Sequence, residues 1–200
     1  YAPKSWDTLL KFLQGQGFSA DDAEKAGLAI HSEDKQSIYD RFRGRIMFPI
    51  FDASGRAVGF GGRIFDAADT RGHQDHGQTQ NEAKYVNTPN TLIYDKSKVL
   101  YGFDKAKQDI RVRGHAVVVE GYMDFVVLFQ EGVKNCVASL GTSLTRQQVR
   151  LLERHGAAGI LNFDPDTAGR EAVIRSLQTF FEEAVGVRVR RERLMREVGY

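Results

Sequence analysis

Along residues 115–183 apolar runs of strand length alternate with segments of helical period. HAVVVE, NCVAS and GILNF are short and rich in valine and isoleucine, whereas YMDFVVLFQE, LTRQQVRLLERHG and TAGREAVIRSLQTFFEE space their apolar residues three and four apart. The pattern predicts strands over 116–120, 135–139, 158–163 and 186–190, with helices over 122–131, 145–155 and 167–183. Thr142 or Ser143 is the expected cap of the middle helix and Thr167 that of the last, and Gly156 is the expected stop after the middle helix. Short links between such units require a parallel sheet with helices on both faces, an α/β arrangement.

The first half follows other rules. Trp6, Leu9, Leu10 and Leu13 form an apolar stripe that Gly15 and Gly17 end, and Ser19 is the expected cap of a second short helix, so residues 1–31 read as helical. RIMFPIF and RAVGFGGRIF flank the turn DASGR and predict a hairpin. The glycines of GFGGR lack a dinucleotide-binding or P-loop spacing and read as a close-packed or bulged strand. Residues 66–83 are polar and without period and predict a surface loop, in which His73 and His76 carry no metal-site pattern. Asn87–Thr88–Pro89–Asn90 reads as a turn and Lys98 to Arg111 as a helix, making this half α+β.

Composition narrows the class. With 42% hydrophobic and 27% charged residues the chain is an ordinary globular protein, and a net charge of +2 is too small to imply nucleic-acid binding by itself. Local clustering carries that idea instead. Arg41, Arg43, Arg45, Arg56 and Arg63 interleave with Phe42, Phe48, Phe51, Phe60 and Phe65, a pattern that suits phosphate contact and base stacking or, equally, a strand pair with core aromatics and solvated arginines. The single cysteine, Cys136, excludes an internal disulfide and a multi-cysteine zinc site, and reads as a core residue. No apolar run reaches the length of a membrane span and no signal peptide opens the sequence, so a cytoplasmic protein is expected.

Acidic residues change the picture most. Glu120 closes one apolar strand, Asp124 follows in the first turn of the next helix, and Asp164 and Asp166 follow another strand across Pro165. The C-terminal edge of an open α/β sheet is where ligands bind. Carboxylates gathered there repel by about 4 kcal/mol per pair at ~4 Å and an effective dielectric near 20. A divalent cation relieves that repulsion, and hard oxygen donors without His or Cys favour Mg²⁺ or Mn²⁺. Asp124 and Asp166 could also serve as helix caps; Glu120 and Asp164 have no such explanation.

EGYMD at 120–124 followed by FDPDTAG at 163–169 resembles the toprim signature of primases, topoisomerases and some nucleases. YDRFRGRIMFPIFDASGRAVGFGGR, KYVNTPNT, YDKSKVLYGFDKAK, VVVEGYMD and VASLGTSLT in that order resemble the catalytic core of bacterial DNA primases over nearly the whole chain. The resemblance implies a primase-core subdomain over 1–112 and a toprim domain over 113–200. It implies Glu120, Asp164 and Asp166 as metal ligands, Asp124 as the accompanying acid, and Arg45, Arg63, Lys84 and Lys96 as contacts to template or nucleotide phosphates. It also implies metal-dependent synthesis of RNA primers from ribonucleoside triphosphates on single-stranded DNA. Within that chemistry Glu120 is either a metal ligand or a general base.

One element departs from the family pattern. After GVRVR the family carries a third acidic pair, where this sequence has RVRRERLMREVGY with Glu192 and Glu197. That reads either as a chain cut or altered there or as an incomplete metal position. The zinc module that precedes the core and the domain that docks the replicative helicase are not in these residues, so start-site recognition and helicase docking are not expected of this stretch alone. Two other function classes use the same features: a toprim nuclease or topoisomerase that cleaves phosphodiesters, and a catalytically dead module that only binds single strands.

Overall fold

The computed structural model describes residues 1–32, 36–65, 83–140, 143–156 and 158–183. It divides into two compact units, one of Tyr1–Ile50 with Ala57–Asp95 and the other of Phe51–Arg56 with Lys96–Tyr200.

In the first unit, α1 (Thr8–Gly15) and α2 (Ala20–Lys25) precede two short antiparallel strands, β1 (Ala29–His31) and β2 (Ile38–Asp40). Ser19 caps α2 through a reciprocal pair with Asp22, as its spacing predicts. Helix α1 has no cap of its own; the buried carboxylate of Asp40 accepts from Leu9 N at 2.8 Å and Leu10 N at 2.9 Å. The helical reading of 1–31 therefore fails at β1, whose three residues are held by pairing with β2 rather than by local propensity. Of the apolar stripe, Leu10 is buried with Ala23 and Ala29, while Trp6 is 64% exposed and packs edge-on to Tyr39.

Strands β3 (Arg45–Phe51), β4 (Ala57–Ile64) and β5 (Tyr85–Asn87) form the predicted β region, in the order β3-β4-β5. The five-residue Asp52–Arg56 link is too short for a crossover, so β3 and β4 are a hairpin. Two β4 glycines, Gly59 and Gly62, are there for space. A Cβ at Gly59 would lie 3.3 Å from both Thr88 and the Tyr94 ring, and one at Gly62 would lie 2.9 Å from Phe42 and 3.0 Å from Arg45. Phe42 and Phe48 are core residues.

The second unit is the α/β portion. It contains α3 (Phe103–Arg113), β6 (His115–Val119), α4 (Tyr122–Gln130), β7 (Cys136–Ala138), α5 (Arg146–Glu153), β8 (Ala158–Leu161) and α6 (Thr167–Glu183). The sheet is parallel in the order β7-β6-β8. Alternation along β6 separates two cores: Ala116 and Val118 face a cluster with Phe103, Ile110, Val149, Leu152 and Phe180, and Val117 and Val119 face one with Phe125, Cys136 and Ala138. Helix α4 thus covers one face, and α3, α5 and α6 the other. Right-handed crossovers explain this, because the step from β6 to β7 and the step from β7 back across β6 to β8 run in opposite directions. Burial pushes the Cys136 thiol up to about 11, as suits a core residue.

Two helix starts differ from expectation. Helix α5 is capped by Thr145 through a capping box with Gln148, instead of by Thr142, which lies outside the described residues, or Ser143. The helix expected from Lys98 begins at Phe103, because Gly102 takes a left-handed φ of 77° and Lys96–Lys98 forms a 3-10 turn. The expected strand at 186–190, Glu192, Glu197, His73 and His76 also fall outside the described residues. Among the described residues no helix is long and apolar enough to cross a membrane.

Candidate active site

Neighbouring strands β6 and β8 send their following helices to opposite faces of the sheet. Their C-terminal ends therefore bound a topological switch point, the crevice where open α/β sheets bind ligands. Glu120 follows β6 directly, and the Asp164–Pro165–Asp166 turn follows β8.

The turn is held by its own acids. Glu120 Oε1 accepts from Asp164 N at 3.1 Å, Asp166 Oδ1 accepts from Gly169 N at 2.7 Å, and Asp124 Oδ2 accepts from Gly121 N at 2.9 Å. The last bond satisfies the Gly121 amide at the start of α4 from the third helical residue, so the structural role open to Asp124 is realised. Burial raises the Glu120 carboxyl above its ordinary range; the Asp164 amide opposes that shift, and the charges of Asp164, Asp166 and Asp124 reinforce it. Three acids therefore act on the Glu120 carboxyl. Among the described residues none of the four has a cationic side chain in ion-pair contact.

Gly169 is a site residue that hydropathy did not reveal. A Cβ there would lie 2.2 Å from the Asp164 carbonyl oxygen and 2.7 Å from Glu120 Oε1, so only glycine lets α6 start this close to the two acids. Ser139 and Leu140 follow β7 at the same sheet edge. The Ser139 hydroxyl is buried without a partner, and Leu140 adopts φ 67°, the only non-glycine positive φ among the described residues.

The donor set suits a hard cation: oxygen donors only, mutually repelling and without a compensating positive charge. Among the described residues, no three acidic, His or Cys side chains are already drawn together at coordinating geometry. Glu120, Asp124 and Asp166 each serve a backbone amide through one oxygen, and the other carboxylate oxygens are what a cation would engage.

The sequence-predicted basic residues fall in several places. Arg45 is buried, and its Nη1 donates to the carbonyl oxygens of Ala83 at 2.9 Å and of Gly62 and Lys84 at 3.4 Å, so it ties backbone together. Arg43 lies over the Trp6 and Tyr39 rings, and Arg56 pairs with Asp52. Much of the basic–aromatic alternation is thus engaged within the protein. Lys84 is exposed, and half-buried Arg63 pairs with Tyr85 across β4 and β5. Lys96 lies in the 3-10 turn, and burial lowers its ammonium pKa.

The family model for the DNA primase catalytic core, N-terminal domain, matches residues 1–107, and the toprim domain model matches residues 114–191. The chain is 43% identical to the DNA primase of Deinococcus radiodurans over 191 residues, which cover 95% of this chain and 30% of that protein. It matches the crystal structure of a DNA primase domain from Pseudomonas aeruginosa at a TM-score of 0.79 and 37% identity, covering 94% of this chain and 55% of that one. A DnaG primase catalytic domain solved bound to single-stranded DNA matches at a TM-score of 0.75 and 38% identity, covering 95% of this chain and 55% of that one. Curated relatives are much longer: the sequence spans 30% of the Deinococcus protein and 24% of the DNA primase of Synechococcus elongatus.

Proposed function

Because this chain belongs to the DNA primase catalytic core family, we propose that it carries the nucleotidyl-transfer centre of a primase, a DNA-directed RNA polymerase that makes short RNA primers on single-stranded DNA at the replication fork. The observation that carries this reading is the meeting of Glu120, Asp124, Asp164 and Asp166 at the switch point between β6 and β8. The domain boundary is read at 112/113, supported by the matched ranges 1–107 and 114–191.

Glu120, Asp164 and Asp166 are the residues that would hold Mg²⁺ or Mn²⁺, and Asp124 fixes the turn that presents Glu120. Such an ion, when bound, neutralises charge on the reacting phosphates and makes the attacking hydroxyl more acidic. The chain's own groups do the rest. Burial raises the Glu120 carboxyl above its ordinary range, and arriving positive charge favours its ionised form. Lys84, Lys96 and Arg63 are read as contacts to template or nucleotide phosphates. Arg45 takes part indirectly, by fixing the backbone that carries Lys84. Single-stranded DNA is the expected template and ribonucleoside triphosphates the substrates, supported by the likeness to a primase domain solved with single-stranded DNA. Docking of the replicative helicase and zinc binding are read as belonging to other domains of longer family members; the Aquifex aeolicus primase is solved with a zinc-binding domain beside its RNA polymerase domain.

The test is incorporation of labelled ribonucleotides on single-stranded DNA, with Mg²⁺ and then Mn²⁺, beside Asp164→Asn. Short RNA that requires both the metal and Asp164 is expected. Undiminished product from Asp164→Asn, or cutting of the template instead of synthesis, would overturn the reading.

A further inference from the structure

Tyr101 is bridged to Ala138, the last residue of β7. Tyr101 and Ala138 exchange two backbone hydrogen bonds, Tyr101 N to Ala138 O at 2.9 Å and Ala138 N to Tyr101 O at 3.0 Å, as an antiparallel bridge. A segment antiparallel to β7 that reaches Tyr101 at Ala138 comes from beyond β7's C-terminal end. The 3-10 turn Lys96–Lys98 therefore lies at the sheet edge where Glu120 and Asp164 emerge.

A second tie fixes the turn there. Gln148, in the first turn of α5, is 1% exposed. Its Nε2 donates to Lys96 O at 3.2 Å and to Val99 O at 2.8 Å, and its Oε1 accepts from Thr145 N at 3.1 Å. Both amide hydrogens and the amide oxygen are thus used, and the Thr145 hydroxyl donates to Ser97 O. The same two residues that cap α5 clamp three of the four carbonyls from Lys96 to Val99. An ordinary helix cap needs only the reciprocal Thr145–Gln148 bonds; the three bonds outward to the 96–99 backbone are additional.

We infer that Gln148, with Thr145, is a positioning residue for the primase reaction, holding the Lys96 turn at the acidic sheet edge so that Lys96 meets the phosphates of the incoming nucleotide. This rests on the reading of Lys96 as a phosphate contact. Gln148 touches no reacting atom; it acts through the backbone that bears Lys96. Lys96 is half-buried, so its side chain is less free to swing in water than an exposed lysine.

The protein carrying this chain is assayed for primer synthesis with Lys96→Ala, Gln148→Leu and the double variant, together with Thr145→Val and its conservative partner Thr145→Ser. Gln148→Leu is expected to raise the KM for nucleoside triphosphate about tenfold, the factor that one hydrogen bond to a charged group is worth, with kcat and template affinity changed less than about twofold. Thr145→Val should do the same and Thr145→Ser should not. The decisive reading is the cycle: the double variant should be no worse than Lys96→Ala alone. If Lys96→Ala leaves the KM unchanged, the Lys96 reading itself falls. If Lys96→Ala raises it but the Gln148 effect adds in full on top, or appears in kcat alone, the clamp is only structural and the inference is overturned. Should Gln148→Leu lose its thermal transition, Thr145→Val against Thr145→Ser decides by the same criteria.

Discussion

At the position of Gly169 the site has no room to spare, and that makes it a sharper probe than any of the acids. Gly169→Ala would force a methyl against the Asp164 carbonyl and the Glu120 carboxylate, so either the start of α6 or the acid turn must move. We expect a loss of roughly 1–3 kcal/mol in stability, as for overpacking. A loss of metal-dependent synthesis beyond what unfolding explains should accompany it, read by urea denaturation beside the primer assay. Glu120 and Asp164 were legible in the sequence, because a carboxylate ending an apolar run stands out against its neighbours, whereas Asp124 and Asp166 also had a helix-cap reading and were singled out by the motif resemblance. Gly169 and Gln148 were not legible. A glycine at negative φ and a glutamine on a helix carry no periodic signal, and each acquires its role only from chain distant in sequence that folds against it.

Elements were readable where the hydropathy pattern is local and lost where a distant partner decides. The strand–helix alternation from β6 to α6 matches expectation within two residues at each described end, since every strand lies between faces that both demand apolar side chains. Strands β1 and β2 escaped because three residues hold no period; they exist by pairing. The cap of α5 was misassigned although its signal was present, Thr145 standing three residues before Gln148 in capping-box spacing. The start of α1 depends on Asp40, which reaches it across about thirty residues. Asp40→Ala should leave two helix N–H groups without acceptors and destabilise the protein by about 1–3 kcal/mol. Asp40→Asn, which keeps an acceptor, should cost less. Equal losses for the two in denaturant titration would contradict a capping role.

At the scale of the molecule the acid cluster ties stability to pH and metal. The folded-state pKa of Glu120 is raised, so its ionisation opposes folding: the penalty is absent below the ordinary carboxyl value of 4.5 and fully present above the raised value. Metal-free protein should therefore lose stability as pH rises through that window. Mg²⁺ should restore it, so the metal-induced rise in Tm grows with pH and fades below it. Glu120→Gln should flatten both trends, which thermal melts with and without Mg²⁺ at several pH values will show. A metal-induced shift that is the same at every pH would exclude Glu120 from the metal set. The same arrangement also places a demand on synthesis. Glu120 and the amide of Asp164 that it grips are 44 residues apart. At ribosomal speeds of about 5–20 residues per second, that separation is about two to nine seconds of translation. Within that interval, once β7 is made and until β8 follows, β6 has β7 on one side and no strand on the other, an apolar strand with an open hydrogen-bonding edge. The nascent chain is most exposed to misassociation just before β8 emerges, and the arrival of β8 closes that edge as it brings Asp164 to Glu120.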